Sequence, residues 1–124
     1  MNRKFLLATL CIGAIVFYLA GCSKESADKL SGSATCDTAS VSYSTQIVDI
    51  LQNNCYSCHS GATPPTGIRL DTYANLKVFV DNGFLVSAVT QNGVVTPMPY
   101  GLPRLPACEV NTIVAWVHQG APAN

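Results

Sequence analysis

Residues 55–59 of this chain read Cys55-Tyr56-Ser57-Cys58-His59, with two cysteines three positions apart and a histidine directly after the second. This spacing is typical of haem c attachment. Each thiol adds across one vinyl group of the porphyrin, and the adjacent imidazole reaches the iron from the same side. The motif therefore predicts one covalently bound haem c, held by Cys55 and Cys58, with His59 as an axial iron ligand.

Three other interpretations of this motif compete with haem attachment. A thioredoxin-like thiol pair would be expected beside a βαβ pattern, which the sequence lacks. Half of a zinc site would need two further ligands, and the candidates left are His118, Cys36 and Cys108. The third interpretation is coincidence. The export signal described below counts against it, because haem is attached outside the cytoplasm.

The sixth iron ligand is predicted to be Met98, which lies between Pro97 and Pro99 and is the single methionine outside the N-terminal leader. The two prolines stiffen the loop, which lowers the entropy cost of holding a thioether on the iron. The structural alternative is a methionine that fills a gap in the core. The rival ligand, His118, is instead expected to lie exposed or partly exposed at the end of the last helix.

The N-terminus has the pattern of an export signal. A short basic start precedes an apolar run over residues 5–19, which is shorter than the ~20 residues that a membrane-spanning helix needs. Residues 19–22, Leu-Ala-Gly-Cys, resemble the bacterial lipoprotein box, in which the cysteine is acylated and becomes the new N-terminus. We therefore expect a lipoprotein signal peptide over 1–21 and lipidation at Cys22. An ordinary signal peptide and an uncleaved anchor are the alternatives.

The remaining chain divides into a tether and one domain. Residues 22–35 are almost all small and polar, so they bury too little surface to offset the entropy of ordering and are expected to be flexible. A domain over 36–124 is small enough that a cofactor or cross-link is expected to supplement its core. Only 11% of the 124 residues are charged. No basic run interleaves with aromatic residues, which excludes a nucleic-acid-binding protein.

The hydrophobic periodicity predicts an all-α domain of short helices, because no stretch shows the sustained alternation of a sheet. Ser44 or Thr45 is expected to cap the first helix. In chain order, the pattern predicts a helix over 45–54, a loop over 61–67, a helix that begins after a cap at Asp71 or Thr72 and ends at Asn82-Gly83, one or two turns over 84–89, and a last helix over 109–119.

Together these features resemble the small class I cytochrome c family over roughly residues 43–121. The pieces match in order: a helix that leads into the haem motif, a middle helix, the Met98-Pro99 loop, and a final helix with an aromatic, Trp116. Residues 67–73 and 113–121 look similar to a bacterial haem-domain variant found in lipoproteins. The resemblance implies that the first and last helices cross at one edge of the haem. The chain departs from the mitochondrial pattern because it lacks a lysine-rich face.

The resemblance implies an electron carrier and not an enzyme. Such a protein would take no small-molecule substrate and would exchange single electrons with redox protein partners through the exposed haem edge. Its lipid anchor would hold it at a bacterial membrane, on the periplasmic or cell-surface side. The alternative is a haem-based sensor or peroxidase-like enzyme in which Met98 is easily displaced, although no distal acid–base residue can be nominated. A haem-free thiol oxidoreductase that uses Cys55 and Cys58 is a third hypothesis.

Two further expectations follow from this resemblance. If the first and last helices cross, Cys36 and Cys108 come within bonding reach, and an exported protein permits a disulfide between them. Two buried free thiols are the alternative. The apolar pocket for the haem is expected to be supplied by Ile47, Leu51, Phe79 and Trp116.

Overall fold

The computed structural model describes residues 36–124, so the predicted signal peptide over 1–21, the lipidation site Cys22 and the predicted tether over 22–35 lie outside the described residues. Within 36–124 the regular structure is entirely helical, as the all-α prediction requires. None of the helices in this part of the chain has the length and hydropathy needed to cross a bilayer. The elements are a π-helical segment, Tyr43–Ile47, that runs directly into α1, Val48–Asn54, followed by α2, Tyr56–His59; α3, Tyr73–Asp81; α4, Phe84–Thr90; and α5, Ala107–His118.

The start of the first helix differs from the prediction, because neither Ser44 nor Thr45 caps it through its side chain. The backbone N–H of Tyr43 donates to the side-chain oxygen of Asn124 over 2.7 Å. The N–H of Ser44 donates to the backbone oxygen of the same residue over 2.9 Å. A residue about 80 positions away in sequence therefore satisfies donors that a local cap usually satisfies.

The middle of the domain follows its sequence signals closely. Thr72 caps α3, and its hydroxyl oxygen accepts from the backbone N–H of Asn75 over 3.2 Å. Between α3 and α4 the chain turns through Gly83, whose φ of 77° lies in the left-handed region that glycine adopts at no steric cost. This turn lets α4 begin two residues after α3 reaches its C-cap at Asn82, so the two helices are close neighbours.

The first and last helices pack against each other through an aromatic contact. The ring of Trp116, which is fully buried on α5, stacks on Tyr43 with the ring centroids 5.7 Å apart. Its indole N–H donates to the carbonyl oxygen of Pro122 over 3.0 Å, so burial leaves no unpaired donor. Ile47 and Leu51 from the first helix, and Val110 and Ile113 from α5, belong to the same fully or almost fully buried core.

A disulfide joins Cys36 to Cys108, as predicted, with their Cα atoms 5.4 Å apart. Cys108 lies in the first turn of α5, and Cys36 precedes the first helix. The bond spans a sequence separation of 72 residues, which covers most of the described chain. Cross-links that close long loops remove the most conformational entropy from the unfolded state.

We expect the double variant Cys36→Ser/Cys108→Ser to unfold more easily than the wild type by about 4 kcal/mol, the value that the chain-entropy model gives for a loop of this length. Guanidinium denaturation of the two oxidised proteins measures this difference. In one strongly reducing buffer the two proteins should unfold alike, since neither then carries the bond. Equal unfolding midpoints under oxidising conditions would show that the disulfide contributes nothing.

Candidate functional site

A cavity of about 560 Å³ opens on the described domain. Its volume lies within the range of roughly 300–1,000 Å³ that is typical of small-molecule and cofactor sites. Cys55, Cys58, His59 and Met98 all line this cavity. The structure therefore brings together the four residues that the sequence analysis assigned to one cofactor.

The apolar wall of the cavity is only partly the one predicted. Among the predicted residues, Phe79 lines the cavity, whereas Ile47, Leu51 and Trp116 are fully buried in the core and do not. The buried side chains that form the wall come from α4 and from the segments before α3 and α5: Leu70, Leu85, Val89 and Leu105. The prediction was wrong because periodicity identifies the buried face of a helix but not whether that face meets the core or a cavity.

The cysteine motif consists of Cys55, which joins α1 to α2, and the single helical turn of α2. The backbone carbonyl of Cys55 accepts from the N–H of Cys58 over 3.1 Å and from the N–H of His59 over 2.9 Å. The Cys55 side chain is half-buried, that of Cys58 is exposed, and His59 is buried. Two hydrogen bonds to one carbonyl thus fix the spacing of both thiols and the imidazole along the cavity.

His59 is oriented through its Nδ1 atom. This atom lies 3.2 Å from the backbone carbonyl oxygen of Ile68 and 2.9 Å from the hydroxyl oxygen of Thr66. A carbonyl oxygen can only accept, so we assign the ring proton to Nδ1, which leaves the lone pair on Nε2. Histidines that ligate metals are commonly held in this way, with one nitrogen donating to the protein and the other free for the metal.

Sequence reasoning did not identify Thr66 and Ile68 as partners of the histidine. They act through a loop that returns over the imidazole, where the N–H of Leu70 donates to the carbonyl of His59 over 2.8 Å. Any residue can supply a backbone carbonyl, so no sequence motif marks Ile68 as a partner of the histidine. The one local signal is Gly67, whose φ of 71° permits the turn between the two partners.

The Cys55 thiol is a poor candidate for thiol–disulfide chemistry. Burial, and to a lesser extent the negative charge of the nearby Glu109 carboxylate, raise its pKa to about 11. Reactive cysteines in oxidoreductases have lowered pKa values, because the thiolate is the nucleophile. The environment of Cys55 therefore does not favour the haem-free thiol oxidoreductase considered above.

Met98 is held by its backbone at the end of α4. Its N–H donates to the carbonyl of Ala88 over 3.0 Å, and its carbonyl accepts from the side-chain amide of Gln91 over 3.3 Å. Its side chain is half-buried, lines the cavity and lies outside the buried core cluster. This placement does not match a methionine that fills a gap in the core.

The other candidate ligands lie elsewhere. His118 is exposed at the C-terminal end of α5 and does not line the cavity, as expected. Cys36 and Cys108 are used by the disulfide. Among residues 36–124, no three or more His, Cys, Asp or Glu side chains gather in a way that could hold a metal ion. The zinc interpretation therefore finds no further ligands within this part of the chain.

What residues 36–124 define is an all-helical domain with an apolar cavity lined by two cysteines, a histidine and a methionine. Comparisons with protein-family models, with curated proteins and with solved structures find no match to this chain. Its function is accordingly inferred from the cavity and the side chains that line it.

Proposed function

We propose that this chain is a membrane-anchored monohaem c-type cytochrome of the small class I type, which carries single electrons between redox partners. The observation that carries this proposal is the convergence on one apolar cavity of the Cys55–Cys58 pair, the His59 imidazole and the Met98 thioether. Two pieces of chain that are about 40 residues apart in sequence contribute to this convergence. The cysteine–histidine motif alone does not require that Met98 line the same cavity.

The donor set fits haem c better than it fits a bare metal ion. Two thiols in one closed turn suit two thioether bonds to a porphyrin, and the free Nε2 of His59 suits an axial position. A thioether such as that of Met98 is a weak ligand for most isolated cations but a common one for haem iron. The remaining wall is mostly apolar, which suits a porphyrin face.

A bound haem c supplies one-electron chemistry at its iron. In the proposed protein, Cys55 and Cys58 would hold the group covalently, and His59 and Met98 would bind its iron. Leu85 and Val89 help to keep water away from it. A thioether ligand and an apolar wall both favour the reduced state, so they raise the reduction potential.

The rim of the cavity supports an uncharged contact with the redox partner. Among the described residues, six large hydrophobic side chains are exposed, and four of these line the cavity: Ile68, Phe84, Tyr100 and Leu102. Residues 82–103, which include three of these four, contain no charged side chain. Small interfaces are typical of brief redox encounters, and tethering to a membrane would offset their weakness by raising the local concentration.

We also propose export and lipid anchoring at Cys22, with residues 22–35 as the tether and the domain on the periplasmic or cell-surface side. The Cys36–Cys108 disulfide supports this placement, because such bonds persist in oxidising compartments. Acyl chains on Cys22 would anchor the protein stably, since each buried methylene contributes about 0.8 kcal/mol.

The cofactor proposal is tested by mass and by extraction. The purified wild-type protein should carry the mass of one haem, and acid extraction should leave that haem on the denatured chain. Cys55→Ala and Cys58→Ala each remove one thioether bond and should give weakly attached or missing haem. Ser57→Ala, in the same turn, should keep a full complement. Wild-type protein that loses its haem to acid, or never carries one, contradicts the proposal.

The assignment of the sixth ligand is tested with Met98→Ala and, as the control, His118→Ala. The first change should abolish the weak near-infrared band of sulfur-ligated ferric haem and lower the reduction potential, because the thioether that stabilises reduced iron is gone. The second should alter neither property. A high-spin spectrum in the wild-type protein would instead favour the sensor or peroxidase-like alternative.

The anchor is tested by mass spectrometry of the N-terminal peptide of membrane-derived protein. We expect a peptide that begins at Cys22 and carries acyl groups. Cys22→Ser should block acylation and leave the haem spectrum unchanged, because the residues between the lipid and the domain are predicted to be a flexible tether. An unmodified Cys22 in the membrane fraction rules the anchor out.

A further inference from the structure

Thr66 makes an unusual set of contacts beside the candidate iron ligand. Its hydroxyl oxygen lies 2.9 Å from Nδ1 of His59 and 3.0 Å from the backbone carbonyl oxygen of Cys58. The N–H of Ile68 also points to this oxygen over 3.3 Å. A single side-chain atom thus contacts the imidazole, the turn that carries the second cysteine, and the loop that returns over the ring.

The direction of each hydrogen bond follows from the number of protons. The hydroxyl has one proton, and the closer of the two carbonyls within its reach is that of Cys58, at 3.0 Å against 3.4 Å for Ile68. Once it donates to Cys58, its lone pairs are left to accept. The protonated Nδ1 of His59 therefore donates to Thr66, and more closely than to the Ile68 carbonyl, at 2.9 Å against 3.2 Å.

We propose that Thr66 is a positioning residue, which fixes the ring of His59 and makes its Nε2 a stronger lone-pair donor to iron. This inference rests on the proposed function. A hydrogen bond from Nδ1–H raises the basicity of a histidine ligand and favours oxidised iron, so the Thr66 hydroxyl lowers the reduction potential. It thereby opposes the Met98 thioether, which favours the reduced state.

Two features make the hydroxyl more than a second copy of the Ile68 carbonyl. It accepts a hydrogen bond from His59 and donates one to the Cys58 carbonyl, and bonds in such a chain polarise and strengthen one another. The loop that presents it is also closed on both sides. The N–H of Gly67 donates to the carbonyl of Pro64 over 3.0 Å, and the N–H of Leu70 donates to the carbonyl of His59 over 2.8 Å.

The test compares Thr66→Val, which keeps the shape of the side chain and removes the hydroxyl, with Thr66→Ser, which keeps the hydroxyl. At a poise where the wild-type protein is half reduced, Thr66→Val should show a roughly two- to tenfold higher ratio of reduced to oxidised protein, the effect of losing a hydrogen bond of ordinary strength. A tenfold change corresponds to about 59 mV for one electron. Thr66→Ser should remain close to the wild type. Thr66→Ala, measured alongside, removes the hydroxyl with less bulk, so the result does not depend on one variant folding.

A second readout follows the proton itself. In the reduced protein, the His59 Nδ1–H should exchange with solvent faster in Thr66→Val than in the wild type, as judged by proton NMR, and Thr66→Ser should restore slow exchange. Unchanged potential and exchange in both hydroxyl-free variants would overturn the inference, and so would an equal shift in Thr66→Ser. Wild-type protein without haem would defeat the proposed function itself, which is a different outcome.

Discussion

The stack of Trp116 on Tyr43 is the contact on which the rest of the domain depends. It joins the first helix to the last, and both rings pack with the residues of one buried core. At the end of α1, the side-chain amide of Asn54 donates to the Glu109 carboxylate on α5 over 3.1 Å. This second link lies directly before Cys55. The end of α1, and with it the cysteine motif, is therefore held by the same pair of helices that forms the core.

This arrangement divides the apolar side chains between two tasks. Those between the first and last helices stabilise the domain, whereas those of α4 and of the segments before α3 and α5 serve partly as the wall of a cavity. A domain of this size has a small core, and here part of its apolar surface lines a cavity of about 560 Å³. We therefore expect the core alone to stabilise the fold only weakly. The Cys36–Cys108 disulfide, and in the proposed function the covalent group, supply what the core does not.

The sequence allowed prediction of whatever is encoded locally. The helices follow from periodicity and the α3 cap from Thr72, and the spacing of Cys55, Cys58 and His59 singles out three residues that line one cavity. The features that could not be predicted are those that depend on contacts between residues distant in sequence. Asn124 replaces the expected cap of the first helix, and Thr66 and the Ile68 carbonyl hold the histidine from a loop whose path no motif describes. The wall of the cavity was misassigned for the same reason, because the whole fold decides whether a buried helix face packs in the core or lines the cavity.

Both proposed ligands are held in place by hydrogen bonds to segments that lie seven to ten residues away in the chain. The imidazole of His59 is fixed by a carbonyl and a hydroxyl, and the backbone of Met98 is fixed from both sides by the end of α4. Ligands held in this way need not move when the charge on the metal changes by one electron. A catalyst or sensor gains from a ligand that leaves easily, whereas an electron carrier gains from ligands that stay. The hydrogen bonds of Met98, which donates to the Ala88 carbonyl and accepts from the Gln91 side chain, therefore support the proposed carrier without reference to the cysteine motif.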